Sequence, residues 1–588
     1  MGWRGSLLAP GPAVLGFRAV QHNASAGGHV AGAPRRGERV DAVIVGSGAS
    51  GGWAAKRLAE AGLRVVVLEA GRARTDEDNR EHIPAHTLTY RGRSKAPLTK
   101  TRPRQAESYA CDEWNADWHV NDLAEPYTDA EPFPWVGRIR LVGGRTNVWG
   151  RQSYRFSDAD FKAASFDGAG VDWPLAYRDL EPYYDLVERY IGVSGAKEAH
   201  PLLPDGVFQP PMAMGCAERA FADRVKARFD RTFTIGRTAN LTAPLNGRAP
   251  CHYCGPCQRG CTTHSYFNSA FTTIPDAVAT GRCTLITDAM ARRVLVDRAS
   301  GRASGIEYID RHTHAVHEIR ARAIILCAQM FESVRLLFNS RTPDAPNGLA
   351  NSSGQLGRHL MVHVTDAGAS AEFQEFSAPP TVGGPERPNG ILGIRFRNLS
   401  GGAPSQGFLR GYGYQGEAHV PLHTGAVGFG RAFMEAVRAA GPSVLRLQGF
   451  GECLAYDDNL CEIDPSVVDA WGIPALRIRM SLHDNERRMT EDMAAAAAEM
   501  LEAAGGREVK TFVSPRWASH EVGCARMGAD PGTSVLTPFQ QAHDVPNLFV
   551  MDASGFPSSG WSNPTLTIMA LAVRSCDHLL ERMRVGDV

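Results

Sequence analysis

The chain has 588 residues, with 63 Lys+Arg balancing 63 Asp+Glu, 43% hydrophobic and 21% charged residues. Neutral balance excludes a broad basic field for nucleic acid or an anionic membrane surface. No apolar run approaches the about 20 residues of a membrane-spanning helix, and the length predicts two domains instead of one core.

Residues 1–38 read as a disordered leader or an overlong start. The mildly apolar stretch 7–17 is broken by Pro10, Gly11 and Pro12, and Arg35 and Arg36 precede a core strand instead of the hydrophobic segment of an export signal. Residues 40–45 then predict a buried strand that runs into Gly46, Ser47, Gly48, Ala49, Ser50 and Gly51, the pattern G-x-G-x-x-G. A helical segment follows to Ala61, and a second apolar strand over 65–68 ends on Glu69 and Ala70. Gly46 permits the tight turn, Gly48 lets a pyrophosphate approach bare backbone, and Gly51 lets helix and strand pack closely. The helix N-terminus offers unpaired N–H groups and a positive dipole end. Glu69 can accept hydrogen bonds from a ribose diol. A lone glycine pattern would be an ordinary turn; with two strands, helix and acid it predicts a dinucleotide site.

Residues 74–134 are polar and proline-punctuated, a long excursion in which the arginine-rich stretch 91–104 is a solvated loop or a dock for an acidic partner. Helical spacing covers 180–190 and 332–339, with a strand over 322–327. Alternation broken by glycines predicts antiparallel strands between 365 and 480. Within them Tyr412, Tyr414 and His419 either line a sugar pocket or are ordinary strand residues, and Gly425, Gly428 and Gly430 read as loop. A helix capped by Asp484 runs to Ala498 and stops at Gly505 and Gly506. Cys327 and Cys576 read as small core hydrophobes.

Three further segments carry chemistry. The first holds Gly143, Gly144, Arg145, Thr146, Asn147, Val148 and Trp149; the second holds His520 and Cys524; the third runs from Asp552 and Ala553 to Asn563, Pro564 and Thr565. Pro564 suits a helix start, and the apolar run after it would bury that helix with its positive end facing a site. Together with the nucleotide turn, these segments stand in the order of the glucose–methanol–choline (GMC) flavoprotein oxidoreductases. From residue 38 onward the chain resembles the branch of pyranose oxidases and bacterial sugar dehydrogenases.

The resemblance implies an α/β fold in which a Rossmann-like FAD-binding domain (39–100, 135–160, 265–345, 515–588) intertwines with an α+β substrate domain on an antiparallel sheet (101–134, 161–264, 346–514). It implies FAD with its adenosine end on the first βαβ unit, its ribityl-phosphate part along Asp552 and Ala553, and its isoalloxazine near 143–150 and 563–565. Pyranose oxidases bond the flavin through a histidine where this chain has Val148, so FAD is expected to be non-covalent. Oxidation of an alcohol needs a base with a pKa near working pH, and histidine suits; His520 matches the family's catalytic histidine and Asn563 its partner. Cys524 stands where many relatives have Thr, a packing change.

The cysteines form Cys251-x2-Cys254-x2-Cys257-x3-Cys261, the ferredoxin spacing except that Thr262 replaces the proline. An iron–sulfur cluster, a zinc knuckle, disulfides and unligated thiols all remain open. Some of the sugar dehydrogenases resembled carry such a cluster, which relays electrons to a cytochrome partner. His252 and His264 flank the run as possible ligands or plain loop histidines. The expected activity is FAD-dependent oxidation of a sugar, glycoside or polyol hydroxyl with a non-O2 acceptor; the alternatives are an oxidase that makes hydrogen peroxide, a non-catalytic electron-transfer subunit, and an NAD(P)-linked enzyme with no use for the C-terminal motifs.

Overall fold

In the computed structural model, residues 37–588 are described apart from 131, 132, 134, 381–385, 400–403, 405, 424 and 515–517. The expected leader therefore lies outside the described residues up to 36. Strand β1 (Arg39–Val45), helix α1 (Ala49–Glu60) and strand β2 (Val65–Leu68) form the predicted unit. Both strands are buried on both faces, as their continuous β-branched runs require of a parallel sheet.

β1 lies between β2 and Val316–Leu326, all parallel, and Cys283–Ile286 extends the sheet beyond β2. Leu548–Val550 adds in parallel to the end of Val316–Leu326, whose first half pairs antiparallel with Arg302–Asp310. The strand expected over 322–327 thus reaches back to Val316, because its polar half needs only one covered face. α1 and the last helix, Thr565–Arg584, cover one side of this sheet and bury Leu58, Ala572, Cys576 and Leu579 beside Cys327.

The second sheet is antiparallel, ordered Arg507–Val513, Ala367–Ala378, Gly441–Glu452, Tyr412–His419, Ile391–Gly393, Phe233–Ile235, with Met361–Val364 and Ala518–Val522 joined to its side. Helix Asp484–Ala503 lies on one face, where Met489, Met493, Ala497 and Met500 pack on Tyr412, Tyr414, Leu445 and Leu447. Each such methionine, removed from water, contributes about 2 kcal/mol. Asp484 is the first helical residue and not the cap; His483 takes that place, because the Glu486 carboxylate at the third position accepts its N–H at 3.1 Å. Gly430 opens a short helix, Gly430–Val437, instead of lying in loop. The 74–134 excursion holds a series of single 3-10 turns and, near its end, the short strand Thr128–Asp129. Among the described residues no helix is long and apolar enough to cross a membrane.

Candidate active site

The site lies at the carboxyl ends of the parallel strands, where the β1–α1 turn, Glu69 and the chain after Leu548–Val550 meet, the usual ligand position in such sheets. Gly46 has φ +98, and a Cβ there would overlap the Cys327 carbonyl oxygen; a Cβ on Gly51 would overlap Gly46 O. Over Gly48 the space is open, with Gly143 O as its nearest neighbour at 3.9 Å. α1 has no side-chain cap and no acid in its first turn, so its positive end is free to take an anion. The residues therefore fit a dinucleotide pyrophosphate.

Glu69 is buried and partly consumed by the turn. Its Oε2 accepts the Ser47 N–H at 3.1 Å and the Ser47 hydroxyl at 2.6 Å, and its Oε1 accepts the Gly71 N–H at 2.7 Å. Oε1 keeps a lone pair for a ribose hydroxyl. Ser47 Oγ in turn accepts the Gly143 N–H at 3.0 Å, which draws the second glycine segment against the first. Ser50 is buried in α1, Ala49 is half-buried beside it, and the Ala70 carbonyl accepts Arg311 Nη1 at 2.8 Å.

Most side chains of the 143–149 segment hold its own shape. The Thr146 hydroxyl donates to Gly143 O at 2.5 Å; Asn147 Nδ2 donates to Val142 O and Gly144 O at 3.0 and 2.8 Å. Trp149 Nε1 donates to Phe267 O at 3.0 Å. Val148 is buried among Ala110, Trp118, Ile139 and Leu141 and offers no nucleophile. The Asp552 carboxylate accepts the Ser554 N–H at 3.0 Å and the Ser333 hydroxyl at 2.5 Å, with burial raising its pKa; Ala553 begins the turn it caps.

His520 stands on Ala518–Val522, which pairs antiparallel with Met361–Val364 so that Ser519 faces His363. The register shifts after Ser519, and His520 takes φ +63, a left-handed conformation that a non-glycine residue adopts at some cost. The bulge turns its ring onto that of His363, with Nδ1 to Nδ1 at 3.1 Å and the ring planes at 83°. His363 is fully buried, and its Nε2 lies 2.8 Å from Gly560 O. A carbonyl only accepts, so that nitrogen carries the proton and His363 Nδ1 is the acceptor. His520 Nδ1 must then donate, which leaves His520 Nε2 as an acceptor. Facing it at 3.3 Å is Asn563 Nδ2, and the amide oxygen of Asn563 accepts Gln415 Nε2 at 2.7 Å, which fixes which end of the amide faces the imidazole. Pro564 caps the Thr565–Arg584 helix, whose first turn, from Thr565, carries no acid.

Burial, and then the Arg145 guanidinium, push the His520 imidazole down to about 4. Arg145 also pairs with Glu521 at 2.7 Å, so the glycine segment is tied to the histidine strand. Burial pushes His363 well below the ordinary imidazole value. At pH 7 both rings are neutral.

His363 and Gln415 escaped the sequence reading. His363 is a lone imidazole in an apolar strand, which must find partners when buried. Gln415 follows from the alternation of Tyr412 and Tyr414: these face the Asp484–Ala503 helix, where Tyr412 meets Asp492 and Tyr414 OH donates to Met493 O at 2.6 Å, so the intervening face belongs to the site. Tyr412 and Tyr414 are thus core residues, and His419 is exposed at the strand end. Cys524 is buried, 3.8 Å from the Cys461 sulfur.

All four loop cysteines are free, which removes the disulfide reading. Cys257 and Cys261 pack with Tyr266, while Cys251 and Cys254 are half-buried. Among the described residues no three of these thiols lie within 4.8 Å of one another, so no mononuclear tetrathiolate knuckle is formed. His264 pairs with Asp76 at 2.7 Å and stacks on Phe271.

The turn is thus bonded to the 143–149 segment, and that segment is tied through Arg145 and Glu521 to the His520 strand. The GMC oxidoreductase N-terminal and C-terminal family models match residues 40–365 and 458–572. The chain is 30% identical to 2-methyl-1,2-propanediol dehydrogenase of Mycolicibacterium austroafricanum over 93% of its length and 96% of the relative's. It is 26% identical to the fructose dehydrogenase large subunit of Gluconobacter japonicus, over 93% and 98%. A solved formate oxidase from Aspergillus oryzae superposes with TM-score 0.62 at 14% identity, over 94% and 100%. The chain belongs to the GMC oxidoreductase family, enzymes that act on CH–OH donors.

Proposed function

We propose that this enzyme oxidises a hydroxyl of a sugar, glycoside or polyol to a carbonyl, using non-covalent FAD and an electron acceptor other than O2. The observation that carries the reading is the unprotonated Nε2 of His520, fixed by His363 behind it and Asn563 beside it. FAD, when bound, supplies the hydride acceptor. The turn from Gly46 to Gly51 and the start of α1 would hold its pyrophosphate, Glu69 its ribose, the backbone at Asp552 and Ala553 its ribityl-phosphate part, and the 143–149 segment with Pro564 and Thr565 its ring end. Val148, buried and unreactive, supports non-covalent retention.

Substrate oxygen would bridge His520 Nε2 and Asn563 Nδ2 by replacing the 3.3 Å hydrogen bond between them. His520 takes the hydroxyl proton, and the Asn563 N–H donates to the oxygen as negative charge develops there. Gln415 keeps that amide from rotating its oxygen toward the substrate. Because His520 is neutral across the physiological range, the resting enzyme is already in its basic form.

Similarity to a diol dehydrogenase and to the large subunit of a fructose dehydrogenase supports the hydroxyl donor class, and the second also supports a partner subunit. The test is anaerobic mixing of flavin-loaded protein with a panel of sugars and polyols, followed by dye-linked turnover. Bleaching of the flavin with turnover on dye or quinone is expected. Turnover on O2 alone with peroxide release would refute the acceptor assignment, and absence of bleaching by any hydroxyl donor would refute the reaction.

A further inference from the structure

The cysteine loop brings together a different donor set from the one its spacing predicts. His82, in the excursion after β2, and His252 and Cys254, in the loop, hold their ligand atoms within 4.8 Å of one another. The two Nε2 atoms lie 3.1 Å apart, and His252 Nδ1 is 3.4 Å from the Thr263 hydroxyl. If the Thr263 oxygen accepts from His252 Nδ1, the His252 Nε2 is a lone pair aimed at the other ring. At this separation two imidazole nitrogens either share a proton or bind one cation. Tetrahedral zinc, with Zn–N about 2.0–2.1 Å, holds two nitrogens about 3.3 Å apart, and with Zn–S about 2.3 Å a nitrogen and a sulfur about 3.6 Å apart. The observed nitrogen separation is close to that edge.

Glu81 gives the second pointer. Its side chain is 0% exposed, its Oε1 accepts the Thr262 N–H at 2.5 Å and lies 3.8 Å from His82 Nε2, and its Oε2 has no hydrogen-bond partner among the described residues. A buried carboxylate oxygen without a donor is costly unless a cation compensates it. Tyr253, with φ +56, bends the chain between His252 and Cys254 so that both reach the same point.

We infer that His82, His252 and Cys254 bind one zinc ion, with the Glu81 carboxylate as the adjacent negative charge, in place of an iron–sulfur cluster on Cys251, Cys254, Cys257 and Cys261. Imidazole and thiolate donors suit zinc. Both histidines are exposed, so the site lacks the apolar shell that tunes a redox metal. The ion clamps the excursion to the cysteine loop, and both elements bear on the glycine segment: Arg74 Nε and the Tyr266 hydroxyl donate to Asn147 at 3.1 and 2.9 Å.

The test is metal and acid-labile sulfide analysis of the full-length flavin-loaded protein, as purified and after chelation followed by Zn2+ alone. About one tightly held zinc per chain and no sulfide are expected. Cys254→Ser and the double variant His82→Ala/His252→Ala should lose the zinc and keep the flavin absorbance, while Cys251→Ser keeps both. Iron with stoichiometric sulfide, loss of metal in Cys251→Ser, or no zinc retained or taken up by the unmodified protein would each overturn the assignment.

Discussion

The nucleotide turn and the proposed catalytic wall are built in opposite ways. Between Arg39 and Glu69 every functional atom comes from one short stretch, and most of the chemistry is backbone: a left-handed glycine, a bare Gly48 and an uncapped helix start. The wall draws His363, Gln415, His520 and Asn563 from four segments up to 200 residues apart, and its chemistry is side chain except for the Gly560 carbonyl behind His363. A local backbone device tolerates no added atom at Gly46 or Gly51, whereas a dispersed side-chain relay degrades in steps, according to how far each member stands from the reacting oxygen.

The sharpest break of that contrast is Gly51→Val. Its side chain would overlap the Gly46 carbonyl, so helix and strand must separate and the cradle opens. Purified protein should carry almost no flavin and no activity; normal flavin content would show that the turn is more compliant than its packing implies. Next comes His363→Phe, which fills the space but offers His520 Nδ1 no acceptor. Loss of the fixed tautomer should lower kcat about 100-fold with flavin content unchanged, and the pH profile should change shape; a change in KM alone would reduce His363 to a packing residue. Gln415→Leu frees the Asn563 amide and should cost about tenfold in kcat/KM, the loss of one hydrogen bond worth about 1.4 kcal/mol. An equal loss from Tyr414→Phe, on the opposite face of the same strand, would contradict the assignment of faces.

These regions also differ in what their sequence discloses. The turn was readable because strand, glycine spacing and acid lie within thirty residues and each has a local physical reason. His520 and Asn563 were reached only through resemblance, since neither residue type nor spacing marks a base by itself. His363 and Gln415 were hidden because their role depends on a strand pairing and a bulge, Ser519 against His363 and the shift that follows, which no local pattern specifies. The cysteine run is less direct: regular spacing suggests four equivalent ligands, while the fold buries Cys257 and Cys261 with Tyr266 and brings Cys254 near two histidines, one of them from another part of the chain.

The smallest effect per residue concerns pH and stability. His520, His119 and His359 are each pushed to about 4, chiefly by burial, and His363 well below its ordinary value. With an unfolded imidazole near 6.5, the unfolded chain takes up protons first as pH falls. Stability is therefore fully present above about pH 6.5 and declines as pH falls toward 4. Thermal unfolding followed from pH 7.5 to 5 should show a falling Tm, and a Tm that rises over this range would mean the rings are charged in the folded state.

The central claim is that His520 Nε2 receives the substrate proton, and the rate of flavin reduction tests it most directly. Anaerobic stopped-flow mixing of flavin-loaded protein with a hydroxyl donor should show bleaching that slows at least about 100-fold in His520→Ala while flavin content and the spectrum of the oxidised protein stay unchanged. Bleaching at an undiminished rate in that variant would show that the proton leaves by another path.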